Sequence, residues 1–301
     1  MTLRVEPLDV RFMSVRGQMA DFLALTKPRL VQMVLISTLA GYYLGSLGEF
    51  DWIRLLNTLL GTALAAGGTI ALNQYLERDL DAKMRRTRDR PLPDGRLQPD
   101  SALIFGLAIS LGGVLYLLFT VNAICSLSAA ITVTSYILLY TPLKRKSSFC
   151  TFVGAIPGAI PPLGGWVAAQ GSLSLEAWVL FAIMFFWQVP HSLAIAWLYR
   201  ADYGRAGIKL LPVIHPDGRS TGYQIVNNCL ALLAVGLIPT IVGLAGSIYF
   251  FTALVIGAVF LLCGIRFALH RSTAAARRLL LVSYCYVPLQ LGVMSLDKVP
   301  Y

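Results

Sequence analysis

Long apolar runs alternate with short polar segments along the whole chain. A helix that crosses a lipid bilayer needs about 20 consecutive, mostly apolar residues. Nine windows meet this requirement, so we predict an all-α protein that crosses the membrane nine times. The predicted spans are residues 30–48, 55–76, 101–121, 123–142, 150–169, 175–198, 224–244, 247–269 and 279–296. The fifth window is the poorest helix former, because it contains Pro157, Pro161, Pro162 and several glycines.

The composition agrees with a membrane protein, and the positions of the charges add an orientation. Of 301 residues, 56% are hydrophobic and 13% are charged, whereas a soluble domain carries about 25% charged residues. The mean hydropathy is +0.68. Among 25 lysines and arginines, only Arg54 and Lys298 lie on the side of the membrane opposite the N-terminal segment and the loops that follow even-numbered spans. Because basic loops stay in the cytoplasm, we predict a cytoplasmic N-terminus and an external C-terminus. The net charge of +10 is a topology signal, and no nucleic-acid-binding module is indicated.

Residues 1–29 are predicted to be a cytosolic segment, and residues 30–301 a single transmembrane domain. The N-terminal segment lacks a continuous apolar core followed by a small-residue cleavage site, so we do not interpret it as a secretory signal. The cysteines show no CxxC spacing, which indicates neither a disulfide framework nor a structural zinc site. They are Cys125, Cys150, Cys229, Cys263 and Cys285.

The first polar cluster lies at the cytoplasmic end of the second predicted span. Asn73, Glu77 and Asp81 are spaced four residues apart, which places them on one face of a helix. Carboxylate and amide oxygens suit Mg²⁺, which commonly binds through one or two carboxylates together with substrate phosphates. Bases that could bind a diphosphate follow at once: Arg78, Lys83, Arg85, Arg86 and Arg88. A solvated, topology-fixing loop is the alternative for each arginine, but Asn73 and Glu77 extend toward the membrane, where polar groups are costly.

A second cluster lies near the end of the sixth span and just beyond it. Gln188 and His191 are within the apolar window, about two turns from its cytoplasmic end, with Pro190 between them. Asp202 and Tyr203 follow the span. A neutral imidazole could ligate haem iron, act as an acid or base, or simply pack, and the residues alone leave these alternatives open.

A third cluster joins the fourth and fifth spans. Lys144, Arg145 and Lys146 close a short cytoplasmic turn, where Lys146 is best explained by topology and the other two could face the acids. The Gly- and Pro-rich fifth span could serve close helix packing, or it could be an irregular helix that lines a cavity.

The sequence resembles the UbiA superfamily of intramembrane aromatic prenyltransferases, and within it the branch that farnesylates haem. Several motifs match in order and spacing, most strongly over residues 22–220: "LTKPRL", "NQYLERDLDAKMRRTRDRPLPDGRLQP", "YTPLKR", "GAIPPLGGW", "WQVPHS" and "DYGRAGIKLLPV". The resemblance implies nine helices around a central cavity that is capped on the cytoplasmic side by two loops. It also implies magnesium-dependent transfer of farnesyl from farnesyl diphosphate to a vinyl group of haem B, with addition of water, to give haem O for terminal oxidases.

The resemblance further implies roles for individual residues in a cytoplasmic (inner) membrane enzyme. The metal and catalytic residues would be Asn73, Glu77, Asp81 and Asp202, with His191 catalytic on the haem side. Substrate contacts would come from Lys27, Arg29, Arg78, Lys144, Arg145, Gln188 and His191. Haem A synthase or terminal oxidase assembly factors would be partners.

Two positions depart from the superfamily pattern, and two other functions remain open. Glu77 stands where the first motif usually has Asp, and Ala206 stands where many members have a second acid. A UbiA-type enzyme acting on a quinone or tetrapyrrole precursor would use the same diphosphate motifs. A transporter or haem-handling membrane protein is less favoured, because no internal repeat is evident and the polar residues gather at one membrane face.

Overall fold

The computed structural model describes residues 15–299, and side chains from residue 17 onward. Its regular structure is helical, apart from an isolated β-bridge between Ala245 and Lys298. The predicted lead-in at residues 1–14 lies outside the described part of the chain. The long helices are α1 (Val15–Thr26), α2 (Pro28–Gly45), α3 (Trp52–Asp81), α4 (Pro99–Thr120), α5 (Ala123–Thr134), α7 (Cys150–Gln170), α8 (Leu175–Leu198), α11 (Arg219–Ile241), α12 (Ser247–His270) and α13 (Thr273–Leu296).

The predicted all-α, multi-pass class is confirmed. Within residues 15–299, eight helices are long and apolar enough to cross a membrane alone. A ninth span results if the pair of α1 and α2, bent by 44°, counts as one. The count of nine and the orientation of the termini therefore stay predictions. The structure extends the second span as far as Asp81, so Glu77 and Asp81 lie on the same continuous helix as Asn73.

The fourth span contains a local change of helical geometry. After α5 the chain forms a π-helical segment, Ser135–Tyr140, and then a short helix α6, Thr141–Leu143. The N–H of Thr141 donates to the carbonyl of Tyr136, five residues earlier, and Pro142 has no N–H to donate. Such π segments are frequent at functional sites, and this one sets the direction of Thr141 and Lys144.

Helix α7 is continuous in spite of its three prolines, so the fifth predicted span is a regular helix. Two-thirds of its apolar window is buried, and tight contacts with α2 surround the prolines. A Cβ on Gly41 would meet the Pro162 oxygen at 1.9 Å, and one on Gly165 would meet the Thr38 oxygen at 2.0 Å. Close packing with α2 is thus one observed use of these small residues, because it lets two helix backbones touch. Helix α7 also lines a narrow cavity, to which Pro161 and Gly164 contribute.

Two loops at one end of the bundle pack against each other. The loop after α3 and the loop after α8, which contains α9 (Arg200–Arg205) and α10 (Leu211–Ile214), share a small apolar cluster. Its buried members are Leu80, Met84, Ala206 and Ile208. The N–H of Lys209 also donates to the carbonyl of Lys144 at 2.8 Å. All three sequence clusters therefore reach the same end of the molecule.

Candidate active site

Three polar side chains of α3 lie buried on one face of the helix. The amide of Asn73 donates to a carboxylate oxygen of Glu77 at 3.0 Å. Asp81 follows one turn later, and the exposed fractions of the three residues are 5%, 7% and 1%. By contrast, the Asp79 side chain is 83% exposed. Burial of two carboxylates at a helix end is costly unless cations or hydrogen bonds compensate them, and the structure supplies both.

Lys144 compensates Glu77. Its ammonium lies 2.8 Å from the Glu77 carboxylate, and both side chains are nearly buried. The ammonium also lies 4.2 Å from the ring centre of Tyr140. Burial alone would lower the pKa of Lys144, but the neighbouring Tyr140 and the Glu77 carboxylate hold that pKa well above its usual value. The hydroxyl of Thr141 lies 3.0 Å from the amide oxygen of Asn73 and completes this contact between the helices.

Arg90 compensates Asp81. One guanidinium nitrogen of Arg90 lies 2.5 Å from the Asp81 carboxylate, which is 2% exposed. The hydroxyl of Thr87 donates to the Asp81 carbonyl at 2.9 Å, which fixes the turn that brings Arg90 back to the helix end. Sequence analysis missed Arg90, although it lies in the quoted "RDRPL" stretch.

Lys27 lies between α1 and α2, at a backbone φ of 47°. This left-handed conformation is unfavourable for a residue with a side chain, and such strain concentrates at functional sites. Burial, the chief cause, and the positive charge of Arg90 lower the pKa of Lys27 to about 8, against the opposing attraction of Asp81. The ammonium therefore belongs to the same electrostatic cluster, which we call the acid–base cluster: Lys27, Asn73, Glu77, Asp81, Arg90 and Lys144.

The donor set fits Mg²⁺ only together with a substrate. Within residues 15–299, no group of three or more His, Cys, Asp or Glu side chains is arranged to hold a metal ion. The buried oxygens of Asn73, Glu77 and Asp81 are nevertheless hard ligands, and Mg²⁺ characteristically completes such a set with water and substrate phosphates.

The second acidic motif is adjacent to the cluster but is not part of it. Asp202 forms an ion pair with Arg205 on its own short helix, and the Asp202 side chain is 15% exposed. Its neighbour Tyr203 accepts a hydrogen bond from Arg86 at 3.2 Å, which ties the two loops together. The structure thus brings Asp202 to the correct end of the bundle without joining it to Glu77 or Asp81.

Three of the predicted substrate contacts lie outside the acid–base cluster. Arg78 lies over the ring of Tyr75 and near Asp79. Arg29 and Arg145 are exposed, and no ion pair links either of them to the acid–base cluster among the described residues.

His191 and Gln188 face different neighbours. Gln188 packs against Gly158 of α7, where an added Cβ would meet its amide oxygen at 2.3 Å. His191 lies against α13: its Nδ1 is 2.8 Å from the Ser283 hydroxyl, which itself donates to the Leu280 carbonyl at 2.6 Å. If the hydroxyl proton stays on the Leu280 carbonyl, His191 donates through Nδ1 and its Nε2 carries the free lone pair. The Trp187 ring stacks on the imidazole at 4.7 Å.

Comparisons with known proteins establish the family of the chain. The profile of the UbiA prenyltransferase family matches residues 34–285. The chain belongs to the UbiA prenyltransferase family. A protoheme IX farnesyltransferase from Solibacter usitatus (strain Ellin6076) is 48% identical over 93% of this chain and 99% of that protein. A protein of the same name from Koribacter versatilis (strain Ellin345) is 41% identical over 97% of this chain and 98% of that protein.

Solved structures of UbiA homologues share the fold. A digeranylgeranylglyceryl phosphate synthase superposes with a TM-score of 0.80 at 16% identity, over 93% of this chain and 98% of that one. A UbiA homologue from Archaeoglobus fulgidus, solved with GPP and Mg²⁺, gives a TM-score of 0.61 at 16% identity, over 91% of this chain and 99% of that one. At these identities the likeness supports the helical architecture only.

Proposed function

We propose that this UbiA-family protein is a protohaem IX farnesyltransferase. It would transfer the farnesyl group of farnesyl diphosphate to a vinyl group of haem B, with addition of water, to give haem O. The observation that carries the proposal is its 48% and 41% identity to proteins of that name over nearly their full lengths. The acid–base cluster supplies the chemistry that a diphosphate donor requires.

The cluster would bind the diphosphate by exchange of ion-pair partners. Lys144 and Arg90 now neutralise Glu77 and Asp81. Mg²⁺ and diphosphate would be held together when the carboxylates and Asn73 turn to the metal and the freed cations turn to the phosphates. The metal, when bound, would offset the charge that builds on the leaving group. Lys27, Lys144 and Arg90 would stabilise the same charge as fixed cations in a site with little water.

The prenyl chain would lie between the helices beyond the cluster. A narrow cavity of about 40 Å³ is lined there by residues of α2, α3, α5 and α7, including Val34, Ala65 and Ile160. Ala65 is eight residues before Asn73, or about 12 Å along α3. The cavity is too small for a farnesyl chain, so the helices must separate when the donor binds. Apolar walls would keep water away from the allylic cation until the vinyl carbon attacks it.

The acceptor would be oriented by His191. In the tautomer that donates to Ser283 through Nδ1, its Nε2 would be unprotonated and could ligate iron or accept a proton. After the vinyl carbon bonds to the farnesyl carbon, water adds to the remaining cation and releases a proton. Asp202, Arg29, Arg78, Arg145 and Gln188 stay candidates that would have to move toward the substrates. We place this activity in one domain, residues 30–301, in the bacterial cytoplasmic membrane, next to haem A synthase or oxidase assembly.

The direct test is a reaction with purified protein in detergent. Haem B, farnesyl diphosphate and Mg²⁺ are mixed, and haem O is sought by mass spectrometry. Wild type, Asp81→Asn and an EDTA-treated sample run in parallel, with Asp79→Asn as the matched exposed acid on the same helix. We expect haem O from wild type and Asp79→Asn only.

Each other outcome has a definite meaning. Magnesium-dependent binding of farnesyl diphosphate without haem O would retain the prenyltransferase and reject haem B, and quinone precursors would then be tried as acceptors. Haem O formation by Asp81→Asn at the wild-type rate would reject the role of the acid–base cluster. A folded wild-type protein with neither product nor diphosphate binding would reject the proposal.

A further inference from the structure

A second cavity lies apart from the acid–base cluster, between the ends of α12 and α13. Its volume is about 380 Å³, and its wall is formed by Cys263, Arg266, His270, Ser272, Ala274, Ala275 and Arg278. The end of α12 is fixed to α8 by Phe267, whose ring meets that of Trp197 at 5.2 Å. The cavity therefore opens at the same end of the bundle as the two packed loops. None of its residues belongs to the motifs that serve the proposed reaction.

The charged side chains that line this cavity, Arg266 and Arg278, are both positive. Between residues 218 and 296 the sequence contains no Asp or Glu. Arg266 and Arg278 are exposed, and neither forms an ion pair within residues 15–299. Two arginines that face one cavity with no acid to separate them repel each other, and an anion bound between them would relieve that repulsion.

The shape of the cavity distinguishes a lipid from a free anion. Cys263, Arg266 and His270 follow one face of α12, and Cys263 is seven residues, about 10 Å, farther from the helix end than His270. His270, Ser272 and the two alanines lie next to the turn between the helices and form the rim. Arg266 and Arg278 lie about one helical turn farther in, and Cys263 continues the wall toward the membrane interior. A phosphate held between the two arginines, with its headgroup at the rim and its glycerol and acyl chains beyond Cys263, would match this order.

We propose that the cavity binds the headgroup phosphate of an anionic phospholipid from the surrounding leaflet. Arg266 and Arg278 hold the phosphodiester, and His270 and Ser272 contact the remaining headgroup oxygens. Basic pockets between transmembrane helices are a known way for proteins to select such lipids. The site would fix the α12–α13 hairpin in the bilayer.

Arg277 provides an internal control for simple surface charge. It is adjacent to Arg278 in sequence, but it points about 100° away around α13 and does not line the cavity. Arg219, at the start of α11, is a second exposed arginine outside the cavity. The pair Arg219→Gln/Arg277→Gln therefore removes as much charge as Arg266→Gln/Arg278→Gln.

The test is native mass spectrometry of the full chain in detergent, titrated with phosphatidylglycerol or with phosphatidylcholine of the same acyl chains. We expect wild type to retain phosphatidylglycerol preferentially. We expect Arg266→Gln/Arg278→Gln to weaken that binding about 30-fold and the control pair less than about threefold. Circular dichroism verifies that each variant is folded, and the single variants Arg278→Gln and Arg277→Gln repeat the comparison if a double variant does not fold.

Inorganic phosphate and inorganic diphosphate form the other arms of the experiment. Displacement of the lipid by millimolar free phosphate would overturn the proposal in favour of a free-anion site. Equal losses in the two double variants would also overturn it, since the effect would then be general surface charge. Equal retention of both lipids by wild type would do the same.

Discussion

The ion pair between Lys144 and Glu77 gives the sharpest prediction. Lys144→Met removes the ammonium that lies 2.8 Å from the Glu77 carboxylate, and the two side chains are only 12% and 9% exposed. Removal of one partner from a buried pair commonly costs 3–5 kcal/mol, because the other charge is left uncompensated. Glu77 keeps its hydrogen bond from Asn73 at 3.0 Å, so we expect the lower end of that range, about 3 kcal/mol.

The double variant Lys144→Met/Glu77→Gln should regain much of this stability. The buried charge is then gone, and an amide at position 77 can still accept a hydrogen bond from Asn73. The free energy of unfolding is measured by SDS titration in mixed micelles for wild type, both single variants and the double variant. We expect a coupling energy of at least about 1.5 kcal/mol between the two sites. Arg145→Met, an exposed neighbour, should change stability by less than about 0.5 kcal/mol.

In this double-mutant cycle, the double variant should recover stability without recovering activity. Because Lys144 and Glu77 are proposed to bind diphosphate and metal respectively, the double variant should stay about 10²- to 10³-fold below wild type in kcat/KM for farnesyl diphosphate. Additive stability effects, with a coupling below about 0.5 kcal/mol, would refute the buried ion pair. A stable double variant with wild-type kcat/KM would refute the exchange of partners.

Three further predictions address other parts of the structure. The pKa of Lys27 is lowered to about 8, so its ammonium is lost as pH rises through that value. The Kd for farnesyl diphosphate, measured by titration calorimetry, should therefore increase above pH 8 in wild type. In Lys27→Met the Kd should not change over this pH range. His191→Ala should weaken haem B binding in a Soret titration at least tenfold, while Ser283→Ala should weaken it less because it frees the ring without removing it. Gly165→Ala should lower the free energy of unfolding by about 3 kcal/mol or prevent folding, because its Cβ would lie 2.0 Å from the Thr38 oxygen. The control Gly112→Ala meets nothing within 4 Å, so it should fold normally in a size-exclusion assay.

The apolar pattern predicted the helices well because burial in lipid leaves the backbone little choice. Each of the nine predicted windows coincides with a described helix, although one of those helices, α2, passes as a span only together with α1. The poorest helix former by sequence was α7, because its three prolines lower its helical propensity. This low propensity is overridden because the small residues of α7 let α2 approach to backbone contact. The packing gained there outweighs the hydrogen bonds that the prolines remove.

The site was predictable along α3 and less so in the loops. Spacing of four residues necessarily stacks Asn73 on Glu77, so that contact follows from helical geometry. Arg90 is nine residues beyond Asp81, and its return depends on a turn held by Thr87, which no periodic pattern reveals. Arg78 looked equally suitable by position, but on the helix it points toward Tyr75 and Asp79.

The pairing of the charges would let one buried site exist both with and without the proposed trianionic ligand. Two carboxylates and three cations, with a net charge of +1, lie where water is scarce. If the cations faced only one another, the empty site would be strongly repulsive. If the acids were absent, no carboxylate ligand would remain for the metal that is proposed to accompany the diphosphate. Because each acid already holds a cation, the proposed binding would exchange one set of close ion pairs for another, and its free-energy change would depend on the difference between the two sets. Selectivity for a magnesium diphosphate over a bare anion would follow, because an anion alone would satisfy Lys144 and Arg90 but would leave Glu77 and Asp81 buried and uncompensated.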